Sequence, residues 1–189
     1  MINTILRFLK DNLNNHLKME TGASSDLSGE DKVVFIDGEK MDPVAFKSGA
    51  VSVLLINIEE EKTLRSADPY MANLPTGTQK VLPEIRMNLY VLFVARFQKY
   101  EDSLRNLSSI IQYFQQQRVF DHQNAPDLPD TVDQIMLETT TQSLSEQNEL
   151  WGALRTSYLP SILYKVRMVV FQDRSAPKVK EIKERTIKL

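Results

Sequence analysis

Leu150-Trp151-Gly152-Ala153-Leu154, a short polar and aromatic connector, and then Pro160-Ser161-Ile162-Leu163-Tyr164-Lys165-Val166-Arg167-Met168-Val169-Val170-Phe171-Gln172-Asp173 form a helix that runs directly into a long strand. Pro160 has no amide hydrogen to continue a helix. The run behind it is β-branched and aromatic, which suits a pleated, half-buried surface. Tyr164, Val166, Met168 and Val170 are predicted to face one way, with Lys165 and Arg167 opposite until Val169 and Phe171 take over. Gly152 within the helix costs about 1 kcal/mol against alanine. A close backbone contact with the sheet is the expected reason for it. Trp151 reads as a core anchor pinning its helix to that sheet.

Upstream, Ser143-x-x-Glu146 has capping-box spacing and opens the tryptophan helix. Val132 to Thr141 reads as a strand, with Ile135, Leu137 and Thr139 opposed to Gln134, Met136 and Glu138. Asp121 to Asp130, with Pro126 and Pro129, is a loop. Glu101 to Arg118 is a helix whose predicted buried stripe is Leu104, Leu107, Ile110, Ile111 and Phe114. Glu84 to Phe97 is a strand with Ile85, Met87, Leu89, Val91, Phe93 and Ala95 on one face. Its other face begins with Arg86 and Asn88 and turns apolar at Tyr90, Leu92 and Val94.

Ala50 to Ile58 is apolar almost throughout, as in a strand buried on both faces. Glu59-Glu60-Glu61 closes it and reads as a solvated strand end, with no histidine or second acidic cluster at metal-ligand spacing. Val33 to Asp37 is a short strand ended by Asp37-Gly38. Ala23 to Lys32 is a loop, with Gly22 a helix stop. Ile2 to Met19 is a helix with Ile2, Ile5, Leu6, Leu9, Leu13 and Leu17 at spacings of three and four. Lys62 to Leu82, which holds Arg65 and Tyr70, is a long connection with Pro69, Pro75 and Gly77. Structureless loops beyond about 12 to 15 residues are uncommon in compact domains. A connection that orders against a partner is therefore expected.

The predicted fold class is α+β, in the order α-β-β-β-α-β-α-β. A mixed or antiparallel sheet carries helices packed mainly on one side. A chain of 189 residues, 42% apolar and 25% charged, suits one such domain. We expect residues 1–173 to form it and residues 174–189 to form a basic C-terminal arm. The net charge of −2 divides into +4 on that arm and −6 on the body. The arm's cations are Arg174, Lys178, Lys180, Lys183, Arg185 and Lys188. Opposite charges suit head-to-tail contact between copies; a solvated tail is the alternative. The arm's lysines alternate with Val179, Ile182 and Ile187 rather than stacking aromatics, so no nucleic-acid partner is expected.

With no cysteine, disulfides, thiolate catalysis and sulfur-ligated metals are excluded, and a reducing cytoplasm fits. The N-terminus lacks the pattern of a cleaved signal, and Leu89 to Phe97 is about half a membrane helix and is broken by Arg96, so no membrane insertion is expected. No phosphate-binding glycine loop, zinc-helix motif or nucleophile elbow occurs. Two histidines without matching acids or nucleophiles offer neither a triad nor a zinc site. The expectation is no catalytic residue, no cofactor and no metal.

Leu89-Tyr90-Val91-Leu92-Phe93-Val94-Ala95-Arg96-Phe97 with Tyr100, Leu104, Leu107-Ser108 and Phe114-Gln115 adds a second kind of information. So do Ile5-Leu6-Arg7-Phe8-Leu9, the Leu54-to-Glu60 strand, Leu150-Trp151-Gly152-Ala153-Leu154, and Tyr158-Leu159-Pro160 through Arg167. Together, across roughly Ile2 to Asp173, the sequence resembles the cap, or tail terminator, proteins of extracellular contractile injection systems. These systems include the antifeeding-prophage and Photorhabdus virulence-cassette type particles. The resemblance implies a phage-tail-terminator-like fold and a homohexameric ring. Such a ring ends polymerisation of inner tube and sheath at the end distal to the baseplate. It also implies assembly in the cytoplasm into a particle that is released or anchored. Some relatives carry a further C-terminal domain, and no role of such an extension is expected here. Another tail-completion or sheath-associated protein, or a small enzyme, is the alternative. The residues expected to make interfaces are Lys165, Arg167, the arm cations, Glu59, Glu60, Glu61, Arg65 and Tyr70.

Overall fold

The structure, a computed structural model, describes residues 1–20, 31–38, 43–62, 71–74, 77–80, 85–130 and 132–171. Helix α1 spans Ile2–Glu20, α2 Tyr100–Gln116 and α3 Leu144–Ala153. The strands are β1 Val33–Phe35, β2 Ala50–Glu60, β3 Met71–Leu74, β4 Gly77–Lys80, β5 Ile85–Arg96, β6 Val119–Asp121, β7 Gln134–Thr139 and β8 Ser161–Phe171. Six strands make one sheet in the order β1-β2-β5-β8-β7-β6. β1 runs parallel to β2 and every other neighbouring pair is antiparallel. The sequence reading of an α+β fold on a mixed sheet therefore holds.

Two cores explain the layering. On one face, α1 and α2 bury Ile5, Leu9, Leu13, Leu107, Ile110 and Phe114 against Val51, Val53, Leu89, Val91, Phe93, Tyr164 and Val166. On the other face, Trp151 of α3 packs with Val44, Phe46, Leu54, Leu92, Val94 and Leu163. Trp151 is buried, 5.9 Å from the Phe46 ring and 5.5 Å from the Tyr158 ring. The segment beneath it is tied in by Val44 N–H donating to Leu154 O at 3.3 Å and Arg96 Nη1 donating to Phe46 O at 2.8 Å. Two helices thus lie on one side and the short tryptophan helix on the other.

The capping box forms as its spacing predicts. Glu146 N–H donates to Ser143 Oγ at 3.3 Å, and Ser143 N–H donates to Glu146 Oε2 at 2.7 Å. At the other end, Arg155 N–H bonds Gly152 O and Thr156 N–H bonds Trp151 O. This is a Schellman stop with an arginine at φ 52° where glycine is usual.

Several expectations are corrected. Gly152 does not approach the sheet: it is exposed, and a Cβ added there would meet nothing within 4 Å. Leu104 and Ile111, placed in the buried stripe of α2, are 44% and 38% exposed; Leu107, Ile110 and Phe114 carry the contact. Arg118 lies past α2, whose last residue is Gln116, and its carbonyl accepts from Leu137 N–H at 2.8 Å. β6 follows directly and is too short to show alternation. The Lys62–Leu82 connection contains β3 and β4, a hairpin that shares no ladder with the large sheet.

Two register shifts complete the frame. On β2, Leu55 pairs with Val91 but Asn57 with Tyr90, so Ile56 is an extra residue. On β8, Val166 pairs with Leu89 but Val169 with Met87, which ends the simple alternation expected for Met168 and Val170. Gly22, most of the Ala23–Lys32 loop, Arg65, Tyr70 and the arm from Arg174 lie outside the described residues.

Candidate assembly surface

Beyond Trp151, the α3 face of the sheet changes from apolar to charged. The extra residue at Ile56 turns Asn57 and Glu59 onto this face, opposite Tyr90 and Asn88 of β5. In β8, Lys165 pairs with Tyr90 on one side and Glu138 of β7 on the other. The result is a ladder of polar side chains across four strands.

Glu59 Oε2 accepts from Lys165 Nζ at 3.0 Å and from the Tyr90 hydroxyl at 2.9 Å. The Lys165 ammonium lies 5.3 Å from the centre of the Tyr90 ring, a cation–π distance. Glu61 accepts from Asn88 Nδ2 at 3.1 Å and from Arg167 Nη2 at 3.5 Å. Arg167 Nη1 donates to both Glu138 oxygens, at 3.1 and 3.4 Å. Arg167 thus bridges the end of β2 to β7 across the two strands between them.

The charges tune one another. Hydrogen bonds from Lys165 and then Tyr90 hold the Glu59 carboxyl below its usual range, and Glu59 holds the Lys165 ammonium above its own. Glu138 does the same for the Arg167 guanidinium. On the opposite face, burial pushes the Tyr164 hydroxyl up to about 12.

Four of the expected interface residues, Glu59, Glu61, Lys165 and Arg167, are brought together, and their bonds run within the chain. Glu60 pairs with Met87 and so belongs to the other face. Tyr90, Asn88 and Glu138 complete the network and escaped sequence reasoning. Their signal is cross-strand position, which only the pairing reveals. Among the described residues there is no group of three or more His, Asp or Glu side chains placed to hold a metal ion. No described helix is long and apolar enough to cross a membrane.

Comparison with protein families matches residues 3–184 to the Pvc16 N-terminal domain. The chain belongs to that family. Its fold also matches two experimental structures. One is the PVC sheath/tube terminator of an extracellular contractile injection system in its extended state, at a TM-score of 0.55 and 16% identity over 94% of this chain. The other is the anti-feeding prophage cap, a tube-terminating cap, at a TM-score of 0.55 and 13% identity over 94% of this chain. The chain spans 62% and 60% of the lengths of those two proteins. A comparison with curated protein sequences finds no match. The Pvc16 N-terminal domain in this chain is thus a terminator-like fold with one charged and one apolar end on its α3 face.

Proposed function

We propose that this chain is the structural cap, or tail terminator, of a contractile injection particle. In this reading it assembles as a homohexameric ring that ends polymerisation of inner tube and sheath at the end distal to the baseplate. The observation that carries it is the family match over residues 3–184, joined to a terminator fold over 94% of the chain. The role is structural, and the partners are a second copy of the chain and the tube and sheath proteins.

The geometry suits that task. Ring closure needs heterologous contacts, in which one patch meets a different patch on the next copy. The charged ladder is held by internal pairs and therefore presents a fixed pattern of charge to a partner rather than a set of mobile side chains. Residues 1–173 are the ring-forming body and residues 174–189 a basic arm that reaches a neighbour, with Arg65 and Tyr70 as further contact residues. Assembly takes place in the cytoplasm before the particle is released or anchored.

The test is a cryo-EM map of assembled particles beside a strain lacking the gene. Density at the baseplate-distal end, and tubes of uncontrolled length without the protein, are expected. Density confined to the baseplate would assign a different tail role.

A further inference from the structure

The two sides of the sheet end in different exposed apolar features. On the α3 side, Leu144, Trp151, Gly152, Arg155 and Tyr158 wall an open groove of about 760 Å³. Leu144 is 80% exposed and Tyr158 58% exposed, with the buried Trp151 as the floor between them. On the α1 and α2 side, Ile58 and Ile85 are 42% and 50% exposed. The register sets Ile58 opposite Leu89, and unbroken alternation along β5 sets Ile85 on that same side. Leu92, which packs with Trp151, lies seven residues from Ile85 on β5, about 24 Å along the strand. Groove and aliphatic rim therefore occupy opposite faces and opposite ends of one sheet.

Three exposed residues of the helix and its stop gather at the groove. Gly152 weakens α3, yet among the described residues nothing beyond its own stretch of helix comes within 4 Å of the position its Cβ would take. Arg155 holds a left-handed backbone that favours glycine. Leu144 opens the helix almost wholly in solvent. Glycine on an exposed helix face permits another chain to approach the backbone closely. Among the described residues of the groove wall Arg155 alone carries a charge, and Glu60 lies two residues from Ile58 on the rim side, so a cation borders one patch and an anion the other.

We propose that the Ile58/Ile85 rim of one copy seats in the α3 groove of the next, over Gly152, with Glu60 meeting Arg155. The contact is heterologous, since the two patches differ, and repeating it joins copies head to tail. This rests on the ring reading above and names the surfaces that make the ring.

The experiment uses Gly152→Arg to fill the groove and Ile58→Lys/Ile85→Lys to charge the rim. Both alter exposed positions, and circular dichroism checks that each variant folds. Light scattering after size exclusion should show the unaltered protein as a closed oligomer and each variant as a monomer. An equimolar mixture of the variants should give a dimer and nothing larger, because one intact groove and one intact rim remain. Charge exchange adds an independent arm: Glu60→Arg and Arg155→Glu each weaken assembly about tenfold or more, and the pair in one chain restores it.

Either variant assembling normally, through Leu104 and Ile111 of α2 for example, overturns the pairing while the terminator reading stands. A variant mixture that stays monomeric, or an unaltered protein monomeric at every concentration tested, also overturns it. Chains that pair in this way but leave tube length uncontrolled in cells would remove the terminator reading and keep the contact.

Discussion

Asn14 of α1 is bound twice to Val33, the first residue of the edge strand β1. Its Oδ1 accepts from Val33 N–H at 2.8 Å and its Nδ2 donates to Val33 O at 2.9 Å. The side chain is 3% exposed, so both bonds are made away from water. An edge strand has a free row of backbone groups, and here a helix amide satisfies one donor and one acceptor. Asn14→Leu strands both, and we expect a loss of about 1–3 kcal/mol in urea unfolding. Asn14→Asp keeps the acceptor but not the donor, and still falls short of the native stability. A midpoint unchanged by both substitutions would falsify the assignment.

Arg167 holds Glu61 and Glu138 together, and Glu61 has only 11% of its side chain exposed. Arg167→Met takes this cation from a largely shielded carboxylate. The expected cost is about 1–2 kcal/mol, toward the low end because Arg167 and Glu138 reach solvent. Adding Glu61→Gln to the same chain recovers part of it, as a double-mutant cycle in chemical denaturation can show.

Gly152→Ala in the free monomer should raise stability by about 0.5–1 kcal/mol, since the added methyl meets no neighbour and alanine costs less backbone entropy. Differential scanning calorimetry reads the shift. A lower melting temperature contradicts the open position.

Burial pushes the Tyr164 hydroxyl up to about 12, with Arg118 a smaller opposing influence. Ultraviolet titration of the folded protein should show a late phase, which Tyr164→Phe reduces, the Tyr113 hydroxyl also being raised by burial. Loss of Tyr164 without change in the late phase assigns that phase to another of the six tyrosines.

Stability should have a broad plateau in pH. Lys18, with Lys10, holds Asp31 below 3.8, and Lys165, with Tyr90, holds Glu59 below 4.5. A carboxylate lowered by folding stabilises fully above its unfolded value, and that contribution is lost as pH falls through the folded one. Lys10, chiefly through Asp11, and Lys165, through Glu59, are raised above 10.5. Their contribution is complete below 10.5 and lost as pH rises through the folded values. Melting temperatures should therefore be flat from roughly pH 5 to pH 10 and fall on both sides. Glu59→Gln should reduce the slope on the acid side.

The long periodic elements were legible because each carries one strong hydrophobic phase. The stripe of α1, the odd-numbered face of β5 and the capping box of α3 all follow from spacing alone. The hairpin β3–β4 and strand β6 were not, being three or four residues each, too short for alternation to speak. The outward turn of Leu104 and Ile111 depends on where α2 meets the sheet, which its own pattern does not contain. For the candidate site, sequence singled out Glu59, Glu61, Lys165 and Arg167 one by one. Their assembly depends on strands 106 residues apart in sequence and on a pairing that local periodicity cannot report.

The extra residue at Ile56 makes chain length the sensitive variable of β2. Every pairing from Asn57 to Glu60 counts from the far side of that bulge. A chain without Ile56 keeps the same partners in a plain ladder and loses only that residue's packing. A chain with one residue added nearer Ala50 carries Glu59 toward the helices and Ile58 toward the charges, inverting wet and dry along the strand's whole outer half. Natural variation in this strand should therefore show as a tolerated gap at one position and as strict counting everywhere else.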